Sequence, residues 1–262
     1  MMNYLVVTVV VIVCTILLII HHRTAVVSNA VQLWYTDPFI PGTCDYTLSF
    51  AMIPPRWWLL PQIINQVNQV PIEQRPREIR VTISTKYERF GQWDDLTAIT
   101  TNAERYNVYI LVRPDVGPVV KLSGATVGPL ATLIVDDDRV ISPFLFASAC
   151  GASKSTHVTS FSVSSDRILY GSYGYMFPAN SNALASQLIH NYNKTYWGYN
   201  DDVYITCKLM ELKMKIHTIP ISTSSFWTSE ITSSRSVGLI NTKHKYQDES
   251  VPAQLCPYLE LK

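Results

Sequence analysis

The sequence predicts an α/β protein, a mostly parallel sheet flanked by helices, with an apolar span ahead of it. Three observations predict this. Short runs rich in β-branched and aromatic residues alternate with stretches whose apolar residues recur at helical spacing, which is the pattern of β-α-β units covered on both faces. The run Leu133-Ile134-Val135 ends abruptly in Asp136-Asp137-Asp138, as a buried strand does when it reaches a ligand-binding edge. Residues 4–20 carry no charge, and Thr8 and Thr15 are their only polar interruptions.

That amino-terminal stretch makes a helix of about 25 Å at ~1.5 Å per residue, the short end of a bilayer span. It reads as a membrane anchor over residues 1–23, followed by a stem at 24–44. Ser28-Asn29-Ala30 resembles a small-residue cleavage site and keeps a signal peptide open as the rival reading. The chain has 262 residues, 47% of them hydrophobic, enough for one large domain or two small ones. With 21 Lys+Arg against 20 Asp+Glu and no basic run, bulk charge gives no case for nucleic acid. Cys14 falls in the span. Cys44, Cys150, Cys207 and Cys256 show neither a C-x-x-C pair nor zinc spacing, so lumenal disulfides and buried thiols fit equally. Asn193-Lys194-Thr195 is an N-glycosylation acceptor sequence, meaningful only in a lumenal domain.

Taken in order, Asp45–Met52 reads as the first strand, stopped by Pro54 and Pro55. Trp57, Leu60, Ile63, Ile64 and Val67 then follow helical spacing, with Pro61 in the first turn. Residues 78–84 form a second strand, 94–105 a helix capped by Asp94 or Asp95, 107–112 a third strand and 131–135 a fourth. Beyond the aspartates, 158–163 and 168–177 read as strands, the second containing Gly171 and Gly174. Glycines there mark a bulge or the close approach of another group. A helix over 181–192 leads to Trp197-Gly198-Tyr199-Asn200-Asp201-Asp202. The next helix sets Val203, Cys207, Met210 and Met214 on a core face, and 216–219 is the last strand. The Ser/Thr-rich tail after Pro220 lacks periodic structure.

Three adjacent carboxylates at a strand end repel one another unless a cation sits among them. Asp136 and Asp138 can turn towards one ion, and oxygen-only ligands suit Mg²⁺ or Mn²⁺. A solvated turn or a helix cap is the structural alternative. In open α/β sheets the ligand sits past the carboxyl ends of the strands, and Arg56, Asp115 and Asp136 to Asp138 all fall there.

The segments from 45 to 220 together resemble the GT-A fold glycosyltransferases that use nucleotide sugars, in a family-2-like branch related to the exostosin-type transferases. Four local matches carry the resemblance. They are Ile53-Pro54-Pro55-Arg56 with Lys86-Tyr87-Glu88-Arg89-Phe90, Asp115-Val116-Gly117-Pro118-Val119-Val120-Lys121, Val135-Asp136-Asp137-Asp138, and Tyr199-Asn200-Asp201-Asp202-Val203. Asn200 and Val116 depart from the usual small residue and Tyr. The tail at 221–262 has no match.

The resemblance implies a Rossmann-like GT-A domain that moves a sugar from a nucleoside diphosphate donor to a hydroxyl of a glycan or glycoconjugate, with Mn²⁺ or Mg²⁺ as cofactor. It implies metal contact by Asp138 and Asp136, and donor contact by Asp136, Asp137, Lys121, Asp115, Arg56 and Pro54. If configuration at the sugar inverts, Asp202 is the expected general base, with Asp201 as the fallback; capping by Asn200 and Asp201 is the alternative for that pair. Tyr173, Tyr175 and Trp197 are expected as an acceptor platform. Function favours an endomembrane lumen, whereas Arg23 with His21 and His22 after the span favours a cytoplasmic carboxyl side. A catalytically inactive relative that binds nucleotide sugar or glycan is the second reading. A phosphotransferase or a serine hydrolase lacks its usual loop here: no G-x-x-x-x-G-K-[ST], G-x-G-x-x-G or G-x-S-x-G occurs.

Overall fold

Strand β1 (Cys44–Ala51) runs through the middle of a seven-stranded sheet and is buried along most of its length, as its apolar sequence requires. The computed structural model describes residues 37–87, 91–92, 97–137, 141–161, 169, 171, 173–197, 201–219 and 256. Strand β1 pairs in parallel with β2 (Pro76–Ile83) and with β6 (Ala131–Ile134); β2 in turn pairs in parallel with β5 (Tyr109–Val112). On the other flank β8 (Tyr175–Phe177) is antiparallel to β6 and to β7 (Val158–Ser160), and β9 (Ile216–Thr218) is parallel to β7. A two-stranded ribbon joins β3 (Lys86–Tyr87) to β4 (Gly91–Gln92). The expected mixed, mostly parallel α/β sheet is therefore present.

Six α-helices connect the strands among the described residues. Helix α1 (Leu60–Asn68) turns Leu60, Ile63, Ile64 and Val67 inward and tolerates Pro61 because the first turn has no backbone donor to lose. Helices α2 (Thr97–Tyr106), α3 (Pro143–Ala152), α4 (Asn182–His190), α5 (Lys194–Trp197) and α6 (Asp201–Glu211) follow. Two 3₁₀ segments, Pro54–Leu59 and Pro118–Thr126, lie just past β1 and between β5 and β6. One apolar cluster joins β1 and β2 to α1 and α3; a second joins the Pro118–Thr126 segment to α4 and α6. Each fully buried Leu, Ile or Phe in them contributes roughly 1.5–3 kcal/mol relative to exposure.

Two disulfides pin this arrangement. Cys44, opening β1, pairs with Cys150 of α3, with the Cα atoms 5.7 Å apart. Cys207 of α6 pairs with Cys256, also with no exposed surface to speak of, so part of the carboxyl-terminal tail packs into the second cluster.

Several elements differ from the sequence reading. The helix expected from Trp57 opens as 3₁₀, because two prolines at its start remove the first donors and favour the tighter turn. Asn107, expected to open a strand, takes φ 56° as a turn residue after α2. Residues 168–177 are not one strand: Gly171 and Tyr173 lie in turns, and pairing begins only at Tyr175. Met214 lies past the end of α6, whose last residue is Glu211. The apolar span, Asp94, Asp95 and the Ser/Thr-rich stretch after Pro220 lie outside the described residues. Among those described, no helix is long and apolar enough to cross a membrane.

Candidate functional site

The side chain of Lys121 stands at the centre of the site. Its segment starts at Gly117, whose φ of 98° suits glycine, and Asp115 Oδ1 accepts a hydrogen bond from the Gly117 N–H at 3.0 Å. The segment is clamped to the sheet from two strands. Ser49 of β1 donates its hydroxyl to the Lys121 carbonyl at 3.3 Å, and Arg80 of β2 donates to the Gly124 carbonyl at 2.6 Å. Lys121 is 5% exposed and reaches across the carboxyl-terminal edge of β6.

There its ammonium meets three carboxylates. Lys121 Nζ lies 3.0 Å from Asp136 Oδ1, 2.8 Å from Asp201 Oδ2 and 2.8 Å from Asp202 Oδ1. The Asp136 and Asp202 contacts are hydrogen bonds; that to Asp201 is an ion pair at an angle too poor for one. Asp136 follows β6, and the other two open α6, where the helix dipole favours negative charge. Asp136, just after the fourth expected strand, and the acidic pair more than sixty residues later therefore share one site.

A short peptide stretch joins the two acidic segments. The Gly171 N–H donates to Asp202 Oδ2 at 3.0 Å, and the Gly171 carbonyl accepts from the Asp136 N–H at 3.1 Å. Two residues earlier, the Leu169 N–H donates to Thr206 Oγ1 at 2.9 Å, and that hydroxyl donates to the Asp202 carbonyl at 2.7 Å. A Cβ on Gly171 would run into the Asp136 carboxylate and the Lys121 ammonium. Close approach of another group, one of the two readings of this glycine, is what the structure shows. Nothing in the sequence marked Thr206.

Three carboxylates share one cation, so the electrostatics are unbalanced. Burial pushes the Asp202 carboxyl up to about 7, Lys121 opposing the rise while Asp201 and Asp136 add to it. Asp201 is also raised, first by burial, with Lys121 again opposing. For Lys121 burial acts downward, but the carboxylates outweigh it and hold the ammonium well above its ordinary value. Asp202 and Asp136 are the more exposed acids, with side chains 21% and 31% exposed, whereas Asp201 is at 9%.

The other expected site residues fall as follows. Asp137 turns inward to a buried ion pair, Arg56 Nη1 to Asp137 Oδ1 at 2.5 Å, which ties the Pro54–Leu59 segment to the end of β6. Arg56 and Asp137 thus hold each other inside the protein, and the Lys121 ammonium is taken up by its three acids. Pro54 is buried at the start of its segment, and Asp115 acts in the turn at Gly117. Tyr175 has no exposed surface and stands 5.8 Å under the Lys121 ammonium. Trp197 is 7% exposed and packs edge-on against Tyr204 of α6 at 5.2 Å. Both are packed in the core; Tyr173, expected with them in an acceptor platform, is half-buried in a turn.

A divalent ion needs several oxygens at once. The point where Asp136, Asp201 and Asp202 converge is filled by the ammonium, and among the described residues no group of three His, Cys, Asp or Glu could hold a metal. Asp138 lies outside the described residues, as does Asn200.

No known family profile matches the chain, and no curated protein sequence does. Among solved structures it is similar to the mannosyltransferase PcManGT from Pyrobaculum calidifontis, determined in complex with GDP-Man and Mn²⁺. That match has 14% identity and a TM-score of 0.45, over 76% of this chain and 63% of that one. It is also similar to residues 1–349 of S. aureus TarS, at 10% identity and a TM-score of 0.47, over 80% of this chain and 69% of that one. The chain thus spans less than two-thirds of the mannosyltransferase, and the likeness to both is a distant one of backbone path.

Proposed function

We propose that this protein is a glycosyltransferase, moving a sugar from a nucleoside diphosphate donor to a hydroxyl of a glycan or glycoconjugate acceptor. The observation that carries this reading is the meeting of Asp136 with Asp201 and Asp202 around Lys121, at the carboxyl-terminal edge of a mostly parallel sheet. That edge is where such folds bind ligands.

Asp202 is the general base. It is the more exposed of the pair, and a carboxyl raised to about 7 has the basicity that proton abstraction near neutral pH needs. Each carboxylate oxygen has two lone pairs, so the bonds from Lys121 and Gly171 leave acceptor capacity on both. The acceptor oxygen forms a bond to the sugar C1 while the bond from C1 to the diphosphate oxygen breaks. The diphosphate departs with the electron pair, the acceptor proton passes to Asp202, and configuration at C1 inverts. Lys121 fixes the direction in which Asp202 points, and Asp201 backs the ammonium from inside. A divalent ion held by Asp136 and Asp138 would supply countercharge to the departing diphosphate.

Residues 4–20 anchor the protein in a membrane on this reading, with the folded part in an endomembrane lumen. The test incubates the detergent-solubilised full chain with a panel of nucleotide sugars, with and without Mn²⁺, and measures acceptor-dependent release of nucleoside diphosphate. Release with one donor, abolished in Asp202→Ala with the fold intact, is the expected result. Donor binding without any turnover would instead support the inactive binding relative, and neither binding nor turnover would end the proposal.

A further inference from the structure

We infer that Asn193 carries an N-linked glycan, and that the folded domain therefore lies on the lumenal or extracellular side of the membrane. The acceptor sequence Asn193-Lys194-Thr195 is the one N-x-[ST] in the whole chain, so the inference concerns a single position.

Compartment comes first. All four cysteines beyond the apolar span are paired, Cys44 with Cys150 and Cys207 with Cys256, across 106 and 49 residues of chain. Disulfides of this kind form and persist in oxidising compartments and are rare where thiols are kept reduced. The single Arg23 after the span pulls towards the opposite orientation. One flanking cation is a weak determinant beside a complete set of bridged cysteines.

The local structure then admits a glycan. Asn193 and Thr195 are both exposed, Asn193 in the short turn between α4 and α5 and Thr195 in the first turn of α5. Tyr192 and Trp197 on either side are buried and pack edge-on against Tyr204 of α6, at ring distances of 4.9 and 5.2 Å. This stretch is thus fixed from beneath and open above. Asn193 Oδ1 accepts from the Tyr196 N–H at 3.2 Å, while Nδ2 has no hydrogen-bond partner among the described residues. The glycosidic bond is made at Nδ2, so the modified side chain keeps its capping bond.

The co-reactant is a lipid-diphosphate-linked oligosaccharide supplied by the host cell. Nδ2 forms a bond to the sugar C1 and the bond from C1 to the diphosphate oxygen breaks. The lipid diphosphate leaves with the electron pair, and Nδ2 loses one proton to a base of the host transferase. No electrons are exchanged. This inference does not depend on the chain's own catalytic activity.

The experiment expresses the full chain in cells with a eukaryotic secretory pathway and follows its gel mobility before and after treatment with peptide-N-glycosidase. A single-step increase in mobility is expected for the unchanged chain and for Thr195→Ser, and none for Asn193→Gln or Thr195→Ala. Thr195→Ala leaves the Asn193 cap in place, so loss of the shift there is not a folding effect. Thiol alkylation of the same samples separates the two ways of failing. Bridged cysteines with no shift would overturn the modification, and free reactive cysteines with no shift would overturn the compartment as well.

Discussion

Lys121 Nζ lies 2.8 Å from Asp202 Oδ1, although the two residues are 81 positions apart in sequence. The ammonium is placed to orient the carboxylate that would take the acceptor proton.

Replacing Lys121 by Met should therefore lower kcat far more than it raises KM for the donor. General-base catalysis is typically worth roughly 10²–10⁴-fold, and a mis-aimed base forfeits much of it. The same change leaves three carboxylates without their cation and should cost about 3–5 kcal/mol of stability. Steady-state kinetics beside chemical denaturation checks both. A raised KM with unchanged kcat would mean that Lys121 binds donor after all.

The raised carboxyl of Asp202 sets two pH dependences. On the proposed mechanism activity needs the ionised form, so kcat/KM should rise with pH and level off above about 7. Stability runs the other way. Between the ordinary Asp value of 3.8 and about 7 the folded protein holds a proton that the unfolded chain releases. Stability should fall across that window as pH rises, at up to roughly 1.4 kcal/mol per pH unit. Thermal unfolding at pH 5 and pH 8 tests this, and Asp202→Asn should flatten the slope.

Gly171→Ala puts a methyl against the Asp136 carboxylate and the Lys121 ammonium. Misplacing reacting groups by about 1 Å can cost 10²-fold, so activity should drop by roughly 10–100-fold. A turn-over-turn comparison with Gly151→Ala, which meets nothing within 4 Å, separates this from a general glycine effect. Equal activity of the two variants would show that the Gly171 peptide does not fix the acids.

Tyr175→Phe should leave acceptor KM unchanged, because the Tyr175 hydroxyl is fully buried and has no hydrogen-bond partner among the described residues. Trp197→Ala should unfold the protein more easily, by about 3–5 kcal/mol, through loss of its packing on Tyr204. Acceptor titrations and denaturation curves distinguish these outcomes from a stacking role in sugar binding.

Sequence alone brought out β1, β2, β5 and β6, each a compact apolar run, but not the two-residue strands of the β3–β4 ribbon, too short to show a pattern. It also brought out the two acidic segments, the first from its place past a buried strand and the second from the family resemblance, although turns and helix caps also favour Asp. Residues 168–177 misled because alternating aromatic and small residues imitate a strand, while Gly171 and Gly174 bend the backbone away from pairing. Lys121 was expected at a donor only through the resemblance of Asp115 to Lys121 to a family segment, which says nothing of where its ammonium ends. Only the clamp by Ser49 and Arg80, formed across the sheet, turns it inward. Tyr175 and Trp197 looked like a binding surface for a related reason: composition does not tell a stacked core aromatic from a stacked ligand. The disulfide pairing was equally silent, since no spacing rule connects residues 106 apart.

The bridge from Cys207 to Cys256 makes the last stretch of chain a tether on the very helix that opens with Asp201 and Asp202. Shortening the polypeptide at Pro220 would look harmless by periodicity, yet it would strand a lone thiol in the packed interior and remove a brace from that helix. Any version prepared for assay or crystallisation has to reach past residue 256. A reductant in the buffer would loosen the same helix without changing a single residue.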